Sequence, residues 1–141
     1  MIIRKILIMN DIKFLKLISR HKYEEVNGIY LVKPSWQYSD IFLFSKIIIK
    51  TEEFLIFTPN KEVGDIKLEL KSQYIFPTNK KIIEYDKYNG QKFFDVKKSI
   101  NRMGCYDQFT IEFGNLNTFF TIINNIGLLG VFESNPLIFE L

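Results

Sequence analysis

The chain contains no alanine, while isoleucine is its commonest apolar residue and 14 Phe and 7 Tyr stand among its 141 residues. β-Branched and aromatic side chains lose rotamer freedom against the preceding turn of a helix, and they suit a pleated, half-buried surface. Sheet is therefore expected to dominate. The accompanying richness in Ile, Lys, Asn and Phe is what AT-rich codons favour. It points to a low-GC bacterium, or to a phage or mobile element living in one.

A chain of this length fits one domain, residues 1–141, able to bury its core without a metal or disulfide staple. A hydrophobic fraction of 47% with a net charge of only +3 argues against disorder. The single cysteine, Cys105, excludes an intramolecular disulfide and a CxxC-type metal site. No apolar run approaches the roughly 18 residues of a membrane span. The run Ile6-Leu7-Ile8-Met9 stops at Asn10 and Asp11, short of a signal-peptide core, so the cytoplasm is the expected compartment.

Along the chain, residues 2–9 read as a strand, and Asn10 or Asp11 caps a helix to about Lys22. In that helix Phe14, Leu15 and Ile18 share a face opposite Lys13, Lys16 and Arg20. Ile29 to Lys33 is a strand ended by Pro34, and Ser35 to Asp40 a polar, aromatic loop. Ile41 to Ile49 is apolar almost throughout. Periodicity cannot separate a buried strand from a buried helix there, although Ile47-Ile48-Ile49 favours strand. Phe54 to Thr58 follows as a strand. Residues 66–76 alternate, with Ile66, Leu68, Leu70, Tyr74 and Phe76 on one side and Lys67, Glu69, Lys71 and Gln73 on the other.

Asn89-Gly90 suits a type I′ turn, which predicts a hairpin of 82–88 with 91–96. Phe109, Ile111 and Phe113 mark a further strand. Asn115 then caps a predicted helix with a stripe of Leu116, Phe119, Phe120, Ile123 and Ile126, closed by Gly127; a last short strand spans Leu137 to Leu141. The expected fold is α+β: an antiparallel-dominated sheet with two helices packed on one face.

Chemistry is sparse. His21, the only histidine, sits between Arg20 and Lys22 with no carboxylate close in sequence to orient it, and reads as a helix-surface residue. Paired with Cys105, beside Arg102, it is the one nucleophile–base combination available to a small enzyme. Glu24-Glu25 and Glu52-Glu53 are adjacent pairs whose members point apart, and they read as turn or surface charges. None of the seven glycines forms a phosphate-binding loop, and no metal or cofactor is implied.

Two constellations suit a macromolecular partner. Trp36 and Tyr38 lie in the loop after Pro34, and such residues serve as interface anchors. The segment containing Tyr85, Lys87, Tyr88 and Lys92 interleaves aromatics with lysines. Positive charge gathers in residues 1–50, where nine Lys and Arg face four Asp and Glu. The leading expectation is a non-enzymatic protein-binding module: a small inhibitor or immunity protein that blocks a toxin or host-defence factor by steric occlusion. The first alternative binds nucleic acid through Lys13, Lys16, Arg20 and Lys22 together with the lysine–aromatic segment, although only three arginines are present. The second is the His21–Cys105 enzyme. Sheet edges this rich in Ile and Phe also predict self-association or strand addition by a partner.

Overall fold

The computed structural model describes residues 16–34, 43–60, 64–100, 106–114, 118–125 and 127–134. The strand expected at 2–9, the loop with Trp36 and Tyr38, Lys13, Cys105 and the strand expected at Leu137 to Leu141 lie outside the described residues.

Among the described residues ten strands form two antiparallel five-stranded sheets, so the α+β expectation is overturned in favour of a mostly β fold. The first sheet runs β5 (Ile66–Lys71), β4 (Phe54–Pro59), β3 (Lys46–Lys50), β1 (Gly28–Val32), β6 (Ile82–Tyr85). The second runs β2 (Leu43–Phe44), β10 (Leu128–Ser134), β9 (Thr118–Asn125), β8 (Tyr106–Phe113), β7 (Phe93–Ile100). Ile29, Leu31, Ile47, Ile49, Leu55 and Phe57 of the first sheet share one buried cluster with Phe109, Ile111, Phe113, Phe120, Ile122 and Leu129 of the second. Phe57 and Phe109 meet edge to face across the interface, with centroids 5.5 Å apart. Each such side chain contributes roughly 1.5–3 kcal/mol of burial.

The ambiguous run 41–49 resolves as strand over its described part. Ile47, Ile48 and Ile49 are all fully buried, Ile47 and Ile49 between the sheets and Ile48 on the opposite face. The run is continuously apolar because both faces of β3 are covered. Between β2 and β3 the chain changes sheet at Ser45, whose amide donates to the Val32 carbonyl at 2.8 Å.

Over its described residues, 118–125, the helix predicted for 115–126 is replaced by β9; Asn115, Leu116 and Ile126 lie outside the described residues. Phe120 and Ile122 turn inward, while Thr121 pairs outward with Thr110. Its stripe of Phe and Ile also satisfies a period of two, and pairing with β8 and β10 decides in favour of strand. Gly127, expected to end a helix, takes φ 82° in the turn from β9 to β10. Of the expected N-terminal helix, the described residues contain one short helical segment, 16–21, ended by Tyr23 at φ 72°.

The predicted hairpin is a corner instead. β6 pairs with β1 in the first sheet and β7 with β8 in the second. Only Gly90 of Asn89-Gly90 has positive φ, so the turn is not type I′. Segments 23–26 and 90–93 pair alongside it, with Val26 and Gly90 amides exchanging bonds of 2.8 Å with Gln91 and Val26 carbonyls.

Strand β5 ends at Lys71, and residues 72–81 return over the outer face of the first sheet to reach β6 on its far edge. This strap carries Tyr74 and Phe76 onto Val32, Ile48 and Ile56, forming a second cluster with Tyr30 and Phe54. Tyr74 and Phe76 therefore pack on the face opposite Ile66, Leu68 and Leu70, which contradicts the single alternating strand expected over 66–76.

Candidate functional site

Three of the sequence-selected residues converge. Tyr85 at the end of β6, and Lys87 and Tyr88 in the corner, all reach the carboxylate of Glu133 on β10. Tyr88 is fully buried and stacks on Phe113 with centroids 4.2 Å apart, which aims its hydroxyl at Glu133 Oε2, 2.5 Å away. Lys87 Nζ donates to the same oxygen at 2.7 Å, and the Tyr85 hydroxyl donates to Oε1. Burial would raise the Glu133 carboxyl, but bonds from Lys87, Tyr85 and Tyr88 outweigh it and hold it below the usual carboxylate range. Burial, reinforced by the hydrogen bond and negative charge of Glu133, pushes both phenols well above their ordinary value. They remain donors, and the four groups form a clasp between the sheets. Glu133 lies 45 residues from Tyr88 in sequence, and no local signal connects the two.

His21 occupies the core rather than the helix surface expected for it, and it does have a carboxylate partner: Nδ1 lies 2.9 Å from Glu24 Oε2. The left-handed backbone at Tyr23 turns the chain, and Glu24 returns to within hydrogen-bond distance of the ring. Burial would raise the Glu24 carboxyl, yet hydrogen bonds from His21 and Thr51, with the attraction of the imidazole, hold it below its ordinary value. Nε2 of His21 is buried with no hydrogen-bond partner among the described residues. Glu25, Lys16, Lys22 and Lys92 are exposed, and Arg20 reaches Glu53 at 3.4 Å. Lys22 lies over the Tyr23 ring, 5.3 Å from its centroid.

A concave, partly apolar surface lies beside the strap. A groove of about 650 Å³ opens between it and the first sheet, floored by Val32 and flanked by Tyr74, Phe76, Lys46 and Lys80. Tyr74 and Phe76 meet edge to face at 5.0 Å, and Tyr30 meets Phe76 at 4.9 Å. These contacts fix both ends of a tripeptide whose middle member, Ile75, is 92% exposed on the groove wall. Sequence reasoning missed this site. The available signal was Ile75 itself, an apolar residue in the solvent register of an otherwise clean alternation.

Fold and site define a two-layer β-sandwich with a strapped outer face and an open, lysine-flanked groove. No family model matches the chain, and comparison with curated proteins and with solved structures finds no match. Among the described residues no group of three or more His, Cys, Asp or Glu is placed to hold a metal ion, and no helix is long and apolar enough to cross a membrane.

Proposed function

We propose that this protein is a non-catalytic, cytoplasmic protein-binding module that blocks its partner by steric occlusion, as an inhibitor or immunity protein does. The observation that carries the reading is Ile75. A large apolar side chain held out to water by two anchored aromatic neighbours has the character of a preorganised interface residue, because little conformational freedom remains to be lost on contact. The groove beside it supplies a concave surface for a complementary segment. Lys92, exposed at the corner, adds charge that steers encounter, while the charge of Lys87 is matched by Glu133.

The test is capture from nuclease-treated native lysate, followed by titration of the captured protein's own activity. One stoichiometric protein, inhibited at an equal molar ratio by the wild type and not by Ile75→Asp, is the expected result. Capture that is indifferent to Ile75→Asp would remove the strap from the interface. A second reading, nucleic-acid binding, is favoured by the lysines beside the groove and the exposed Lys16 and Lys22. It predicts retention that nuclease abolishes and that falls steeply with added salt.

A further inference from the structure

We infer that the strap groove receives an extended, acidic segment of the partner protein that carries an apolar anchor. This rests on the protein-binding reading and adds the partner's chemistry to it. Among the described residues the groove is lined by Lys46 and Lys80 and by no carboxylate. Neither ammonium has a carboxylate within ion-pair distance among the described residues; Lys46 Nζ instead lies 5.8 Å from the centre of the Tyr74 ring. The same sheet face carries Lys50, Lys67 and Lys71, and of its two acids, Glu69 and Glu84, the first is already bridged to Lys67 at 3.3 Å. A cationic groove of this kind draws anions and disfavours cations.

The apolar half of the recognition comes from Val32, Tyr74, Ile75 and Phe76, which suit an aliphatic or aromatic side chain. The extended form follows from the strap backbone. Among the described residues, no backbone–backbone hydrogen bond ties residues 73–80 to the rest of the chain, so their main-chain groups other than the N of Pro77, which has no hydrogen, are without a strand partner. A nucleic acid fits less well. The Tyr74, Phe76 and Tyr30 rings are packed edge to face against one another, whereas base stacking needs an open ring face.

The test is fluorescence anisotropy on the intact chain with three labelled probes: a short peptide alternating Glu with Leu, the same peptide with Lys for Glu, and an oligothymidylate of equal charge. The Glu/Leu peptide is expected to bind the wild type and the Lys/Leu peptide not to. Lys46→Glu with Lys80→Glu is expected to weaken the Glu/Leu peptide about tenfold or more, and Ile75→Asp by a similar factor. The neutral pair Lys46→Gln and Lys80→Gln should fall between, and cooperative urea unfolding checks that each variant is folded. Equal binding of the Glu/Leu peptide to wild type and charge-reversed protein overturns the inference, as does tighter binding of the oligothymidylate. If a captured partner is lost with Ile75→Asp yet unmoved by lysine reversal, the acidic segment is ruled out while the protein-binding reading stands. If no protein partner is captured at all, the reading beneath it fails as well.

Discussion

Glu133 ties the two sheets together through one carboxylate, accepting from two phenols and one ammonium. Tyr88→Phe keeps the stack on Phe113 and loses only the hydroxyl bond, so a cost of about 1 kcal/mol is expected. Tyr88→Ala empties a fully buried site and is expected to cost about 3–5 kcal/mol. Urea midpoints separate the two. Glu133→Gln retains an acceptor but loses the charge, for about 1–2 kcal/mol, toward the lower end because Glu133 is partly exposed. Glu24 and Glu133 both titrate below their ordinary value of 4.5 in the folded chain. The stability they add is complete above that value and is lost as pH falls through their lower folded-state values. Stability is therefore expected to be flat near neutrality and to fall once pH drops below the ordinary carboxylate value of 4.5, less steeply in Glu133→Gln than in the wild type. Equal acid slopes in the two proteins would show that Glu133 does not drive the transition.

At the scale of elements, β9 shows how a period can mislead. Phe119, Phe120 and Ile123 form a helical stripe, yet Phe120 and Ile122 are the buried pair, as alternation requires. Thr121→Ala discriminates the two forms, because Thr121 is half-buried on the outer face beside Thr110. In a helix alanine would stabilise by up to about 0.7 kcal/mol, whereas in this strand it is expected to cost up to about 1 kcal/mol. A rise in the urea midpoint would contradict the strand. At the corner, Gly90 has φ 82° with open space around the position of a Cβ. Gly90→Ala is expected to cost about 1 kcal/mol from backbone strain alone, and Gly90→Asn less, because asparagine tolerates the left-handed region better. Thermal unfolding of the two variants checks the order.

For the whole molecule, the two sheets sharing one core place β3 at the centre of the first sheet, flanked by β4 and β1, and β9 at the centre of the second, flanked by β10 and β8. Among the described residues the edge strands are β5, β6 and β7, with β2 only two residues long. Lys67, Glu69 and Lys71 alternate along β5, a charge pattern that discourages edge-to-edge pairing. Native-state hydrogen exchange should follow this layout: slowest in β3 and β9 and in their doubly paired neighbours β1, β4 and β8, faster at the edges, and fastest in the strap over residues 73–80. Protection in the strap equal to that of β3 would show that its backbone is paired after all, and would remove the open main chain on which peptide docking depends.

What the amino-acid sequence determined by itself was the predominance of strand and the position of several strands, though not the fold class: β1, β4, β5 and β8 are legible as short β-branched or alternating runs, while the described residues contain no helix of 7 or more residues where two helices were expected. Composition alone called for sheet, because Ile, Phe and Tyr lose less by lying in a strand than in a helix. Tertiary structure alone decided which period β9 obeys, which sheet each strand of the supposed hairpin joins, and why β3 is apolar on both faces. The candidate site belongs to that second group. Tyr85, Lys87 and Tyr88 are visible as a cluster in sequence, but Glu133 and the crossing of the strap are not. Local pattern records which way a side chain points relative to its neighbours; which distant surface it then meets is set by strand pairing and burial across the whole chain.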